Sequence, residues 1–236
     1  MAITQAALTE AANTTDATSF TTASITPTAN RLVLVAVHAG TSTGDSPANT
    51  PTISGNGLTY VQIATIGVND TGGGNLKQTL TLFRAMGASP STGVITIDFA
   101  GETQVGCIWG VDEFAGIDTG GVDGADAVVQ SATNSDDTAS VNSLTVTLAA
   151  FGDAGNATYG TFGIARNQAF TEGTGFTEIS DLGHGTPNRR LQTEWRDDND
   201  TSVDVSWTDA ADCFGIAAEI KAAAGAVTRR IFVTTG

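Results

Sequence analysis

Charge is what this chain has least of. Charged residues make up 15% of its 236 positions, against ~25% in ordinary soluble domains, and only Lys77 and Lys221 are lysines. Aromatics are 6%, and there are two cysteines, Cys107 and Cys213, and two histidines, His38 and His184. Each scarcity excludes something. Sparse Lys and Glu, with wide gaps between Leu residues, leave little material for amphipathic helices. Two cysteines cannot staple a disulfide scaffold, so a pair of buried reduced thiols is the expectation, with one bridge between them as the alternative. Two histidines leave any His-based triad or metal cluster short of members. The chain has no apolar run of 18 residues, so no membrane-spanning helix is expected. Its first ten residues lack a basic region and an apolar stretch, so synthesis in a cytoplasm without a signal peptide is expected. Finally, 25 acidic against 10 basic residues give a formal charge of −15, which repels phosphate backbones and anionic lipid; neither nucleic acid nor membrane is an expected partner.

Threonine (38 residues) and glycine (28 residues) fill the space left. Thr suits pleated, half-exposed strands and Gly suits turns. Short β-branched runs separated by Gly, Asn, Asp and Pro recur along the chain, with no helical pattern between them. The expected fold is all-β, an antiparallel β-sandwich of jelly-roll type. Four segments also recur in order. Gly57-Leu58-Thr59 returns as Gly175-Phe176-Thr177, and Leu82-Phe83-Arg84 as Glu194-Trp195-Arg196. Ile95, Ile97 and Phe99 return as Val203, Val205 and Trp207, and the strand from Cys107 to Glu113 as that from Cys213 to Glu219. Upstream, Asn30 to Val37 is matched to Asn156 to Gly163. We therefore expect an N-terminal arm (1–18), a sandwich (19–222) whose half-repeats span about 25–118 and 143–222, and a C-terminal arm (223–236). The halves are expected to pack face to face around one core.

Candidates for chemistry are few. Gly40-Thr41-Ser42-Thr43-Gly44 formally matches a nucleophile elbow, but a loop follows where the elbow needs a helix. His38 beside it reads as a strand-end residue in water or bonded to a turn. Acidic loops are richer: Asp197, Asp198 and Asp200 between two strands, Asp118 to Asp126 among glycines, and Asp136-Asp137. Loops of this kind either solvate their carboxylates or offer oxygens to Ca²⁺, and Asp197, Asp198 and Asp200 are the candidate metal ligands. Glu113 and Glu219 match each other in the repeat, which points to a structural role, pairing with Arg31, Arg84 or Arg196; a glycosidase needs two different environments. Trp109, Trp195 and Trp207 fall at strand positions that favour core packing over sugar platforms. The C-terminal segment, with Arg229, Arg230, Ile231, Phe232 and Val233 behind an alanine-glycine hinge, suits strand addition to a neighbour or a final edge strand.

The run Leu32 to Val37, the Gly57-Leu58-Thr59 opening, Leu82 to Ala85, Gly93 to Phe99 and Trp109 to Ile117 together resemble the β-sandwich modules of bacteriophage virion proteins and large bacterial surface proteins. The resemblance covers roughly residues 20–222 and implies a jelly-roll or concanavalin-like fold. It also implies a non-enzymatic structural protein of a virus particle: a capsid decoration, shell or tail subunit, made in the host cytoplasm and located in the virion. Such a subunit would form homo-oligomers and contact other virion proteins through sheet edges and terminal arms, the C-terminal one above all, with no cofactor. The alternative is a lectin-like glycan-binding attachment module, dependent on Ca²⁺ where an acidic loop holds it.

Overall fold

The computed structural model describes residues 2–42, 48–69 and 77–224. Nearly all of their regular structure is strand. In the first half these are β1 (Thr4–Ala17), β2 (Ser19–Thr21), β3 (Leu32–Thr41), β4 (Thr52–Gly55), β5 (Leu58–Thr59), β6 (Val61–Asn69), β7 (Lys77–Ala85), β8 (Ile95–Asp98) and β9 (Gln104–Ala115). A short 3₁₀ turn, Val122–Ala127, leads into β10 (Val128–Asp136), β11 (Ser143–Thr147), β12 (Ala157–Ile164), β13 (Thr171–Glu172), β14 (Thr177–Gly185), β15 (Asn188–Arg196), β16 (Ser202–Ser206) and β17 (Cys213–Ile220). Every paired strand runs antiparallel to its neighbours.

In the first half the strands form a large sheet ordered β1-β9-β3-β7-β6 and a small one ordered β2-β8-β4-β5. The second half follows the same scheme, with β10-β17-β12-β15-β14 and β11-β16-β13. Three apolar clusters separate the four sheets. Val33, Val35 and Val37 of β3 and Trp109 of β9 face Ile95 and Ile97 of the first small sheet. Phe162 of β12 and Cys213 of β17 face Val146, Val203 and Val205 of the second. The third cluster lies between the two large sheets, where Leu34, Leu82, Ile108 and Phe114 meet Tyr159, Leu191, Phe214 and Ile216. The stack is small sheet, large sheet, large sheet, small sheet.

This order explains the continuous apolar runs. β3 and β17 are buried along their whole length because a large sheet in the middle of a stack is covered on both faces, so its strands lose the alternation of a half-wet sheet. One shared core was expected. Three are found, because each half contains strands that cross into a second sheet and close a core of its own. The N-terminal arm is likewise corrected: residues 4–17 are β1, paired along β9 from Thr4 opposite Ala115 to Ala17 opposite Gln104. Small Ala and Thr side chains let it lie flat as an edge while Leu8, Ala11 and Ala17 touch the first half's core.

Sheet register also moves one of the recurring segments by a residue. Val35 of β3 lies between Val111 and Phe83, while Gly160 of β12 lies between Ala217, the counterpart of Val111, and Glu194. Phe83 therefore corresponds to Glu194 and not to Trp195. A one-residue slip changes the face of the sheet, and Trp195 indeed packs against the central cluster, whereas Phe83 belongs to the first half's own core. The two thiols end far apart in the stack, Cys107 in the first half's core and Cys213 in the second's, both free. A bridge between them is excluded, since two large sheets and the central cluster stand between.

The outer strands of the large sheets share one irregularity. β1, β6, β10 and β14 each shift register against their inner neighbour, whereas β3 and β12 pair on both sides without a shift. β1 lies against β14, and β6 against β10, so each half sets its outer strands on those of the other. Bulges at edges and very short edge strands discourage pairing with other chains.

Because the central cluster takes side chains from both halves, Phe214→Ala is expected to cost ~3–5 kcal/mol and to lower the urea midpoint of both halves together. Variants keeping Trp109 alone or Trp207 alone report each half by fluorescence; two separated transitions would show independent units. Alkylation of the denatured protein without reductant is expected to label both cysteines.

Candidate functional site

The matching acids Glu113 and Glu219 anchor one corner of each half. Arg31 places its Nη1 3.0 Å from Glu113 Oε1, and the Thr28 backbone N–H donates to Oε2 at 2.5 Å. Pairing of Glu113 with Arg31 is one of the options read from the sequence. In the second half the strand register corrects the matching of Asn30 with Asn156: Val33 faces Glu113 and Thr158 faces Glu219, so Asn156 is the counterpart of Arg31. Asn156 Nδ2 donates to Glu219 Oε1 at 2.5 Å and Gln130 Nε2 to Oε2 at 2.6 Å. Asn156 Oδ1 also accepts the Ala222 N–H at 2.9 Å. Glu219, 1% exposed, is thus held by two neutral amides where its partner half uses a guanidinium.

In front of this corner lies a cavity of about 350 Å³ lined by Ala125, Asp126, Val128, Val129, Gly152, Asp153, Asn156, Glu219 and Lys221, the size of a small-ligand pocket. The 3₁₀ turn sets Asp126 on its rim, and the turn before β12 sets Asp153 opposite; both are exposed. The one cation in the lining is paired with a carboxylate outside it: Lys221 Nζ stands 2.8 Å from Asp118 Oδ2. That hydrogen bond raises the ammonium's pKa, and the same contact, aided by the Gly120 N–H, lowers that of Asp118. The charge of Asp126 also supports the ammonium, so the lining sets three carboxylates, Asp126, Asp153 and Glu219, against one lysine that it shares with Asp118.

The expected metal ligands are engaged otherwise. Arg196 Nε lies 2.6 Å from Asp198 Oδ1, and its Nη1 lies 2.7 Å from Asp200 Oδ2. Asp200 Oδ1 accepts the Ser202 N–H at 2.9 Å, and Asp197 is exposed. A guanidinium sits where a cation would. Among the described residues no group of three or more His, Cys, Asp or Glu side chains is placed to hold a metal ion. Asp136 Oδ1 accepts the Thr138 N–H and hydroxyl, closing a turn that lowers its pKa. Arg229, Arg230, Ile231, Phe232 and Val233 lie outside the described residues, as do 43–47 of the elbow-like segment, whose Gly40 and Thr41 belong to β3. Trp109 and Trp207 are buried in the small-sheet cores. The exposed large apolar side chains described are Val94, Val122 and Val129, none of them aromatic.

Several ionisable groups are buried away from the cavity. His38, read as a strand-end residue, is enclosed between the large sheets, with Nδ1 3.2 Å from the Arg190 carbonyl and Nε2 2.7 Å from the Gln78 side-chain amide. Its ring stands edge-on to Phe214 of the other half, centroids 4.9 Å apart. Burial first, then the Arg189 charge, push its pKa down to about 3, so it is neutral. Asp112 also lies between the halves and accepts the Tyr159 hydroxyl at 3.0 Å. Burial lifts its carboxyl to about 7 despite that bond. Glu194 occupies the interior position that Phe83 fills in the first half. Burial, with Asp204, Glu172 and Glu178 nearby, raises it to about 8 even though the Gly173 N–H donates to it. Neither carboxyl borders the cavity. Asp126 belongs to the acidic stretch singled out in the sequence, whereas Asp153 carried no such signal and Asn156 is marked by strand register alone.

Comparison with protein-family models, curated proteins and solved structures finds no match to this chain.

The sign of one pH effect follows from Asp112. Between its ordinary value of 3.8 and about 7, the unfolded chain gives up a proton that the fold retains, so this carboxyl lowers stability progressively as pH rises through that window. Asp112→Asn is expected to gain stability relative to the wild type from pH 4 to 7, by at most ~1.4 kcal/mol per pH unit, and then to level off. His38 and His184, whose lowered pKa values act in the opposite sense on the acid side, are common to both proteins and cancel. Urea unfolding across pH 4.5–8.5 measures the difference; one that is flat with pH would remove the neutral carboxyl.

Proposed function

We propose that this protein is a non-enzymatic structural subunit of a virus particle, built as two jelly rolls in tandem. The observation that carries the reading is strand order. In each half the last strand lies between the first and third in one sheet, and the next-to-last between the second and fourth in the other. That order supports a jelly-roll reading, an architecture shared by viral capsid, lectin and cupin domains. Among these, a structural subunit is favoured by the use of the interior. The three interiors are packed with apolar side chains, and the cavity opens at a corner of the stack rather than within a sandwich. The sequence resemblance to virion modules points the same way.

The mode of association is narrower than the sequence suggests. The large-sheet edges are bulged and set against each other, β1 on β14 and β6 on β10, and the small-sheet edges β2, β5, β11 and β13 are five residues long or shorter. Edge-to-edge pairing is therefore a poor route, and the terminal segment after Ala224 becomes the principal contact with other copies and other virion proteins.

Light scattering of the purified chain is expected to give a discrete oligomer, and a chain ending at Ala224 to give a folded monomer with an unchanged circular dichroism spectrum. A wild-type chain that stays monomeric up to high micromolar concentration overturns the structural-subunit reading.

A further inference from the structure

The two corners built on Glu113 and Glu219 differ by one guanidinium. In the first half Arg31 supplies it from within the chain. In the second half Asn156 holds the matching place, and a cavity of about 350 Å³ opens beside Glu219, rimmed by Asp126 and Asp153. Its lysine is shared between Asp118 and the rim carboxylate Asp126, leaving the lining with an excess of carboxylates. An acidic cavity missing an arginine selects a guanidinium, whose planar fork matches carboxylate geometry. The apolar side of the lining is also partly uncovered, since Val129 is 52% exposed.

The chain carries a segment of that chemistry outside the described residues. Arg229 and Arg230 are followed by Ile231, Phe232 and Val233, a basic pair and then apolar residues suited to cover Val129. We propose that the cavity beside Glu219 receives the basic pair Arg229-Arg230 of a second copy of this chain. The inference rests on the structural-subunit reading and names the contact through which copies join.

A second copy is the occupant that the structural-subunit reading calls for. Ala222 pairs with Ile117 and donates its N–H to Asn156 Oδ1 in the cavity wall, and the Ala223 N–H donates to the Gly116 carbonyl at 2.8 Å. Arg229 follows Ala224 by five residues, a reach of at most about 18 Å, so closure on the same copy is the outcome the test separates from contact between copies. Charge favours the encounter too, because chains of net −15 repel as wholes and the adjacent Arg229 and Arg230 offer the cavity's carboxylates a local attraction.

The test uses full-length chains and light scattering, with a fluorescent peptide of residues 225–236 as a direct probe. Asp126→Asn/Asp153→Asn changes only exposed carboxylates, and Asn keeps the oxygen that accepts the Gly155 N–H. This variant and Arg229→Ala/Arg230→Ala are each expected to lose self-association at least tenfold. Mixed together they are expected to form a two-chain complex and nothing larger, since one supplies the segment and the other the cavity. The peptide is expected to bind the arginine variant, at least tenfold more weakly after Asp126→Asn/Asp153→Asn is added. Should the carboxylate variant associate like the wild type, the cavity assignment falls while the subunit reading stands. A monomeric wild type with a peptide-binding arginine variant means that the segment closes on its own copy, which overturns both the second-copy contact and the subunit reading. A monomeric wild type without peptide binding overturns the cavity and the subunit reading together.

Discussion

A β-sheet in water can leave one face wet, but a sheet in the middle of a stack has to bury both. The two large sheets are held to that condition, and much else follows from it. β3 and β17 are apolar on both sides because neither side meets solvent. Where a ring on one central strand leans over its partner on the next strand of the same sheet, no side chain fits there. A Cβ on Gly163 would stand 2.5 Å from the Phe214 ring, and one on Gly215 would stand 2.6 Å from the Phe162 ring. Glycine in these strands makes room for aromatic packing, although it weakens a strand in isolation.

Polar groups in the middle layers obey the same condition. Two of them bond across the boundary between the halves. His38, held by Gln78 in its own sheet, meets the Arg190 carbonyl of the other half, and Asp112 takes the Tyr159 hydroxyl. The Arg190 and Tyr159 contacts join one half to the other, so the interface is specified by direction as well as by apolar area. A buried polar group left unmatched costs far more than a matched one contributes. Sliding one half on the other would break these bonds, and this ties the relative position of the halves to a few named side chains.

Much of this was legible in the residues. Continuous runs such as Leu32 to Val37 marked the central strands, the pairing of Glu113 with Arg31 was among the options, and the tryptophans proved to be packing residues. What escaped has physical causes. β1 is written in Ala and Thr, whose small side chains carry little alternation, so it read as an arm. The aromatic-Arg identity that aligned Phe83 with Trp195 outweighed the pleat, which changes face at every residue. The cavity gathers turn and loop residues far apart in the chain, Asp126, Asp153 and Asn156 among them, and only strand register sets Asn156 at Arg31's place.

Sheets stack about 10 Å apart, so four of them make a slab about 30 Å from outermost sheet to outermost sheet. Its two broad faces belong to different halves of the chain, the four-stranded sheet on one side and the three-stranded sheet on the other. A wall one molecule thick, laid from such slabs in a common orientation, would have an inside and an outside distinct in sequence though alike in wiring. Each face is then free to change for its own surroundings while the buried middle stays fixed, a division of labour that a single sandwich of the same length does not offer.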